Sequence, residues 1–130
     1  MTKRVFIVED DHTCENILRR VIQSIDPEVV VDCVDSAEQA MRMLTNEHRT
    51  GHDYNLIIAD IFLSGRVTGV ELYQECTSQY PETPVLVTSG LPVDQFFETL
   101  GKNTISPPFL AKPFYVGECK QIIEGLLSLS

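Results

Sequence analysis

Glu9, Asp10 and Asp11 stand in a row directly after the apolar run Val5-Phe6-Ile7-Val8. A turn this acidic repels phosphate and attracts a divalent cation, because crowded carboxylates are relieved by a hard positive ion. A second apolar run, Leu56-Ile57-Ile58-Ala59, ends on a further carboxylate, Asp60, and a third, Pro84-Val85-Leu86-Val87, ends on the hydroxyls of Thr88 and Ser89. A fourth, shorter run ends in Lys112-Pro113. A carboxylate can act as a nucleophile toward phosphorus, and a lysine and a hydroxyl can meet the charge that then develops on oxygen. Each of these groups sits where a strand would hand the chain to a helix. If the strands are parallel and share one sheet, all of them gather at one edge.

The elements that must do this positioning are legible. Strand-like runs at about residues 4–9, 29–34, 54–60, 84–89 and 108–111 alternate with segments whose apolar residues return every three or four positions. Ile17, Leu18, Val21, Ile22 and Ile25 make one helical stripe, ended by Asp26-Pro27. Ser36 is placed to cap the next helix, with Ala37, Ala40, Met41 and Leu44 inward. A third helix begins near Gly69 and carries Val70, Leu72, Tyr73 and Cys76; a fourth is expected over 93–100. The last, over 116–127, is expected to bury Cys119, Ile122, Ile123 and Leu126. Strands this uniformly apolar are covered on both faces. The expected fold is therefore α/β: a doubly wound, five-stranded parallel sheet of flavodoxin-like order 2-1-3-4-5, with helices on both faces. Residues 1–130 read as a single domain, with loops at 46–55 and 101–108.

Charge narrows the function. The 130 residues carry 10 Lys and Arg against 19 Asp and Glu, a formal net charge of −9, so there is no basic stripe to displace counterions and no direct nucleic-acid contact is expected. No segment approaches membrane-spanning length, and no membrane partner is expected. Cys14, Cys33, Cys76 and Cys119 lie far apart with no C-x-x-C pair, which fits reduced thiols in a cytoplasmic protein. His12, His48 and His52 read as surface residues.

In this order, Val8-Glu-Asp-Asp11, the strand ending in Asp60, the segment from Asp60 to Gly69, Pro84-Val-Leu-Val-Thr-Ser89 and Lys112-Pro113-Phe114 match a family. The chain resembles the receiver domain of two-component response regulators, the chemotaxis-regulator-like fold, over essentially its full length. The resemblance implies that Asp60 accepts a phosphoryl group from a sensor histidine kinase or a histidine phosphotransfer protein. It implies that Glu9 and Asp10 help hold Mg²⁺ and that Ser89 and Lys112 contact the phosphoryl group. Octahedral oxygen coordination is then completed with Asp10 and Asp60 as direct ligands, Glu9 through water, and the backbone carbonyl of Phe62. Ser89 and Phe109, three residues before Lys112, take the switch positions. Their movement alters a surface made by the segments 93–100, 108–111 and 116–127, which is read by a downstream protein effector; a homodimer through the same surface is one arrangement the resemblance allows. Asp11 is read as a helix N-terminal acid, Thr88 as a packing residue, and the Lys112-Pro113 bond as a candidate for the cis isomer.

The chain also departs from the family pattern. One extra residue separates Asp60 from Gly69, Ser64 stands where proline is frequent, and Thr68 replaces a frequent acid. Phe62, two residues past Asp60, and Leu91, two past Ser89, are apolar where many receivers place polar groups, which suggests a hindered hydrolytic water. Two other functions remain open from sequence: a phosphorelay intermediate or phosphate sink, and a phosphorylation-independent interaction domain. A haloacid-dehalogenase-like phosphatase would need a second acid at Phe62, and a dinucleotide enzyme a glycine-rich first turn.

Overall fold

The computed structural model describes residues 2–63, 68–90, 98 and 107–129. In chain order these form β1 (Arg4–Val8), α1 (His12–Ile25), β2 (Val30–Val34), α2 (Ala37–Arg49), β3 (Leu56–Asp60), α3 (Gly69–Gln79), β4 (Val85–Ser89), β5 (Phe109–Ala111) and α4 (Val116–Leu127). Apart from residue 98, the helix expected over 93–100 lies outside the described residues, as does most of the loop expected at 101–108. All pairings are parallel, and the strand order is β2-β1-β3-β4-β5, as the sequence predicts.

Side-chain oxygens start three of the helices. Asp11 precedes α1 and accepts from the amides of Thr13 at 2.8 Å and Cys14 at 3.3 Å, so the third acid of the turn serves the helix. Ser36 accepts from Gln39 N at 3.2 Å, and Thr68 from Glu71 N at 3.1 Å. The Thr68 that replaces the family's acid thus caps α3, with Glu71 three residues on completing the pattern of a capping box.

The sheet is covered on both faces. Phe6, Val8, Ile57, Ala59, Val85 and Val87 pack against Ala40 and Leu44 of α2 and Leu72 and Cys76 of α3. Val5, Ile7, Leu56, Ile58 and Leu86 pack against Leu18 and Ile22 of α1 and Cys119 and Ile123 of α4. Removing such a fully buried aliphatic side chain costs about 2–5 kcal/mol. In α4 the sequence reading needs a correction: Cys119, Ile123 and Leu127 are buried, whereas Ile122 and Leu126 are only half-buried. The i, i+4 row faces the sheet squarely, and the residues beside it flank the contact. Strands β1, β2, β3 and β5 are one or two residues shorter than the apolar runs suggest, and β4 spans Val85–Ser89, one residue less than its run.

One close approach fixes α3 to β3. A Cβ on Gly69 would lie 2.3 Å from the Asp60 carbonyl oxygen and 2.3 Å from the Ile61 Cα. Both neighbours are backbone atoms and cannot swing aside. Gly69→Ala is therefore expected to lower stability by about 1–3 kcal/mol, read as a lower urea midpoint. An unchanged midpoint would mean that the first turn of α3 relaxes without cost.

Candidate functional site

The parallel register brings the polar strand ends together. Val8 is paired with Ala59, Ala59 with Val87, Asp60 with Thr88, and Ser89 with Ala111, so Glu9, Asp60, Ser89 and Lys112 all emerge at the carboxyl edge. Glu9, Asp60, Thr88 and Ser89 are buried, whereas Asp10 is exposed at the mouth.

Lys112 organises this edge. Its Nζ lies 3.0 Å from Asp60 Oδ2, donates to Glu9 Oε1 at 3.2 Å, and approaches Glu9 Oε2 to 2.9 Å as an ion pair without hydrogen-bond geometry. The Lys112-Pro113 peptide bond is cis, and the Lys112 amide donates to Ser89 O at 2.8 Å, tying the residue to the end of β4. The Asp60 carboxylate is further fixed by the Phe62 amide, which donates to Oδ1 at 2.9 Å. The Asp11 amide holds Glu9 Oε1 at 3.0 Å.

Burial and charge oppose each other here. Burial pushes the Glu9 carboxyl up from its ordinary 4.5 to about 7, with the neighbouring Asp60 charge adding to the rise; hydrogen bonds from Lys112 and the Asp11 amide only partly offset it. Burial by itself would depress the Lys112 ammonium, but its hydrogen bonds to Glu9 and Asp60 outweigh that and hold it above its usual range. One ammonium thus serves two buried carboxylates, and the pocket has room for more positive charge. Carboxylate oxygens of Glu9, Asp10 and Asp60 lie within 4.8 Å of one another, a hard all-oxygen donor set that could bind a metal ion.

The other expected site residues fall as follows. Ser89 is fully buried at the end of β4, and Phe109 is half-buried in β5, in register with Val87 and packed on the α2/α3 side of the core. The Phe62 ring is 53% exposed beside the acidic pocket. Ser64 and Leu91 lie outside the described residues. Thr88, read from sequence as a packing residue on the face opposite Ser89, is buried at the end of β4. Its in-register pairing stands it beside Asp60 on one face, while Ser89 follows on the alternate parity. Strand parity relative to Asp60 was the available signal, but it needs the register between β3 and β4.

The site is thus a half-buried lysine with clustered acids and hydroxyls at the carboxyl edge of a doubly wound parallel sheet. The chain belongs to the response regulator receiver domain family, whose sequence profile matches residues 5–124. It is 29% identical over 101 residues to the transcriptional regulatory protein ComA of Bacillus subtilis (strain 168), covering 74% of this chain and 43% of ComA. It is 27% identical over 124 residues to ARR21 of Arabidopsis thaliana, covering 95% of this chain and 19% of ARR21. The chain therefore spans less than half the length of these two curated relatives. The fold is shared with a CheY-like response regulator receiver domain protein from Methanospirillum hungatei JF-1, at a TM-score of 0.77 and 19% identity over 98% of this chain and 95% of that one. No helix among the described residues is long and apolar enough to cross a membrane.

The raised Glu9 carboxyl has a measurable consequence. Between 4.5 and about 7 the folded state binds more protons than the unfolded chain, so stability falls as pH rises through that window and levels above it. In chelator-treated protein the loss from pH 5 to pH 8 is expected to be on the order of 3 kcal/mol, read by urea unfolding. Glu9→Gln should abolish this falling limb. Parallel curves for the two proteins would mean that Glu9 is ionised throughout.

Proposed function

We propose that this domain is a phosphorylation-controlled signalling switch in which Asp60 accepts a phosphoryl group from a sensor histidine kinase or a histidine phosphotransfer protein. The observation that carries this reading is the Lys112 ammonium 3.0 Å from a buried Asp60 whose carboxylate shares its pocket with Glu9 and Asp10. In the transfer an Asp60 oxygen bonds to phosphorus as the donor's phosphorus–nitrogen bond breaks. The donor imidazole keeps the electron pair, and a mixed anhydride forms on Asp60. Return to the resting form is attack by water on phosphorus, which regenerates the carboxylate and releases phosphate.

The acids fit Mg²⁺, which would lower the repulsion between the incoming phosphoryl group and the pocket. Asp10 and Asp60 would hold it directly, Glu9 through water, and Phe62 through its carbonyl. Lys112 meets a phosphoryl oxygen as a point charge, and Ser89 donates from the end of β4. Because these groups are already held, little reorganisation is needed as charge spreads over the transferring group. The domain in this reading catalyses only its own modification.

A phosphoryl group adds roughly 1.5–2 negative charges and strong acceptors beside Lys112 and Ser89. Ser89 moves toward them, the Phe109 ring follows, and the surface of 93–100, β5 and α4 changes for a downstream protein effector or a second copy of the chain. Residues 1–130 act as one domain in this reading, in the cytoplasm, where a kinase can reach it. In this reading the exposed side chain of Phe62, two residues past Asp60, hinders a hydrolytic water and favours a long-lived switch over a phosphate sink.

Intact mass after incubation with Mg²⁺ and acetyl phosphate should show one phosphoryl adduct, absent without Mg²⁺ and absent from Asp60→Asn. No adduct, under conditions that modify a known receiver, would point instead to a phosphorylation-independent interaction domain. Phe62→Asn is expected to shorten the phosphoryl half-life severalfold in a phosphate-release assay. An unchanged or longer half-life would sink the idea that the ring excludes water.

A further inference from the structure

We propose that Thr88 is a positioning residue whose hydroxyl takes over the Asp60 oxygen that Lys112 gives up when the phosphoryl group arrives. The inference rests on Asp60 as the phosphoacceptor. Among the described residues, two buried side-chain polar atoms have no hydrogen-bond partner, Glu9 Oε2 and Thr88 Oγ1. The first is an acceptor beside the Lys112 ammonium at 2.9 Å, whereas the second can donate and has no such neighbour.

Thr88 is 1% exposed, in register with Asp60 on one side and Leu110 on the other. In-register residues of neighbouring parallel strands project from the same face about 5 Å apart. Lys112 follows β5 directly, and its Nζ reaches Asp60 Oδ2 at 3.0 Å. Thr88 therefore stands on the strand that separates β5, which leads into the lysine, from the strand that ends on the carboxylate the lysine holds. The same face below it is lined by Leu86, Leu110 and Ile58, where a valine would be the simple choice.

In the resting form both Asp60 oxygens have donors, Phe62 N for Oδ1 and Lys112 Nζ for Oδ2. The Thr88 hydroxyl has none to offer itself to. Once phosphorus is attached, Lys112 has three phosphoryl oxygens to serve, and an Asp60 oxygen loses its ammonium. Rotation about one Thr88 bond then presents a donor to it. A hydroxyl unsatisfied before the reaction and satisfied after it disfavours the resting form and favours the modified one.

Thr88→Val removes the hydroxyl while nearly keeping the shape, and Thr88→Ser keeps the hydroxyl while losing a methyl. Thermal midpoints of the unmodified proteins and their affinity for beryllium fluoride with Mg²⁺, a phosphoryl mimic, separate the possibilities. The valine variant is expected to raise the unmodified Tm by roughly 3 °C and to weaken beryllium fluoride binding about tenfold. The serine variant should bind like the wild type even though its Tm falls. Wild-type affinity in the valine variant, or weaker binding in both variants in step with lower Tm, would overturn the handover. Mass spectrometry with acetyl phosphate keeps the two readings apart. An adduct on the wild type with unaltered binding by the valine variant removes the handover alone, whereas no adduct on the wild type removes the phosphoacceptor reading and the handover with it.

Discussion

The edge of this sheet is organised by one ammonium shared between two buried carboxylates. Lys112, the residue after β5, reaches Asp60 at the end of β3 and Glu9 just past β1. In water such contacts contribute little, but both carboxylates lie beneath the surface, where a lost partner leaves an uncompensated charge. The rest of the architecture serves this contact: parallel strands deliver the groups to one edge, and helices on both faces keep the strands dry. The pocket sets one ammonium against the buried Glu9 and Asp60 and the exposed Asp10, and the strain of that arrangement shows in the raised Glu9 carboxyl.

The same lysine couples the site to β4 and β5. Its backbone amide is bonded to Ser89 O, and β5 carries Phe109 two pairs back along the same ladder. β5 is only three residues long and pairs on one side alone, so it has few ladder bonds, whereas β1, β3 and β4 are paired on both sides.

Much of this was legible in the sequence. Short apolar runs located the strands, and the residues at their ends named Glu9, Asp60, Thr88 or Ser89, and Lys112. The helical stripes of α1, α2 and α3 were equally clear, because a two-faced sheet forces each helix to show one apolar side. Two details were not. Whether Ile122 or Leu127 faces inward depends on how α4 is rotated on the sheet, which periodicity leaves undetermined to within a residue. The place of Thr88 depends on the alignment of β3 with β4, strands separated by a whole helix and set against each other by core packing. In the triple acid turn Asp11 was legible as the acid that starts α1, and its carboxylate accepts from the amides of Thr13 and Cys14; that Glu9 is buried and Asp10 exposed came only with the structure.

Gly69 fixes where α3 begins relative to the end of β3. The first turn of α3 is pressed against the backbone of Asp60 and Ile61 so closely that a side chain cannot enter. Both ends of the connecting segment are consequently anchored, one by the strand and the other by this contact. The end of β3 and the first turn of α3 are thereby tied through backbone rather than through any side chain. Substitutions on the solvent face of α3 can then change what that helix displays while the carboxylate at the strand end keeps its place.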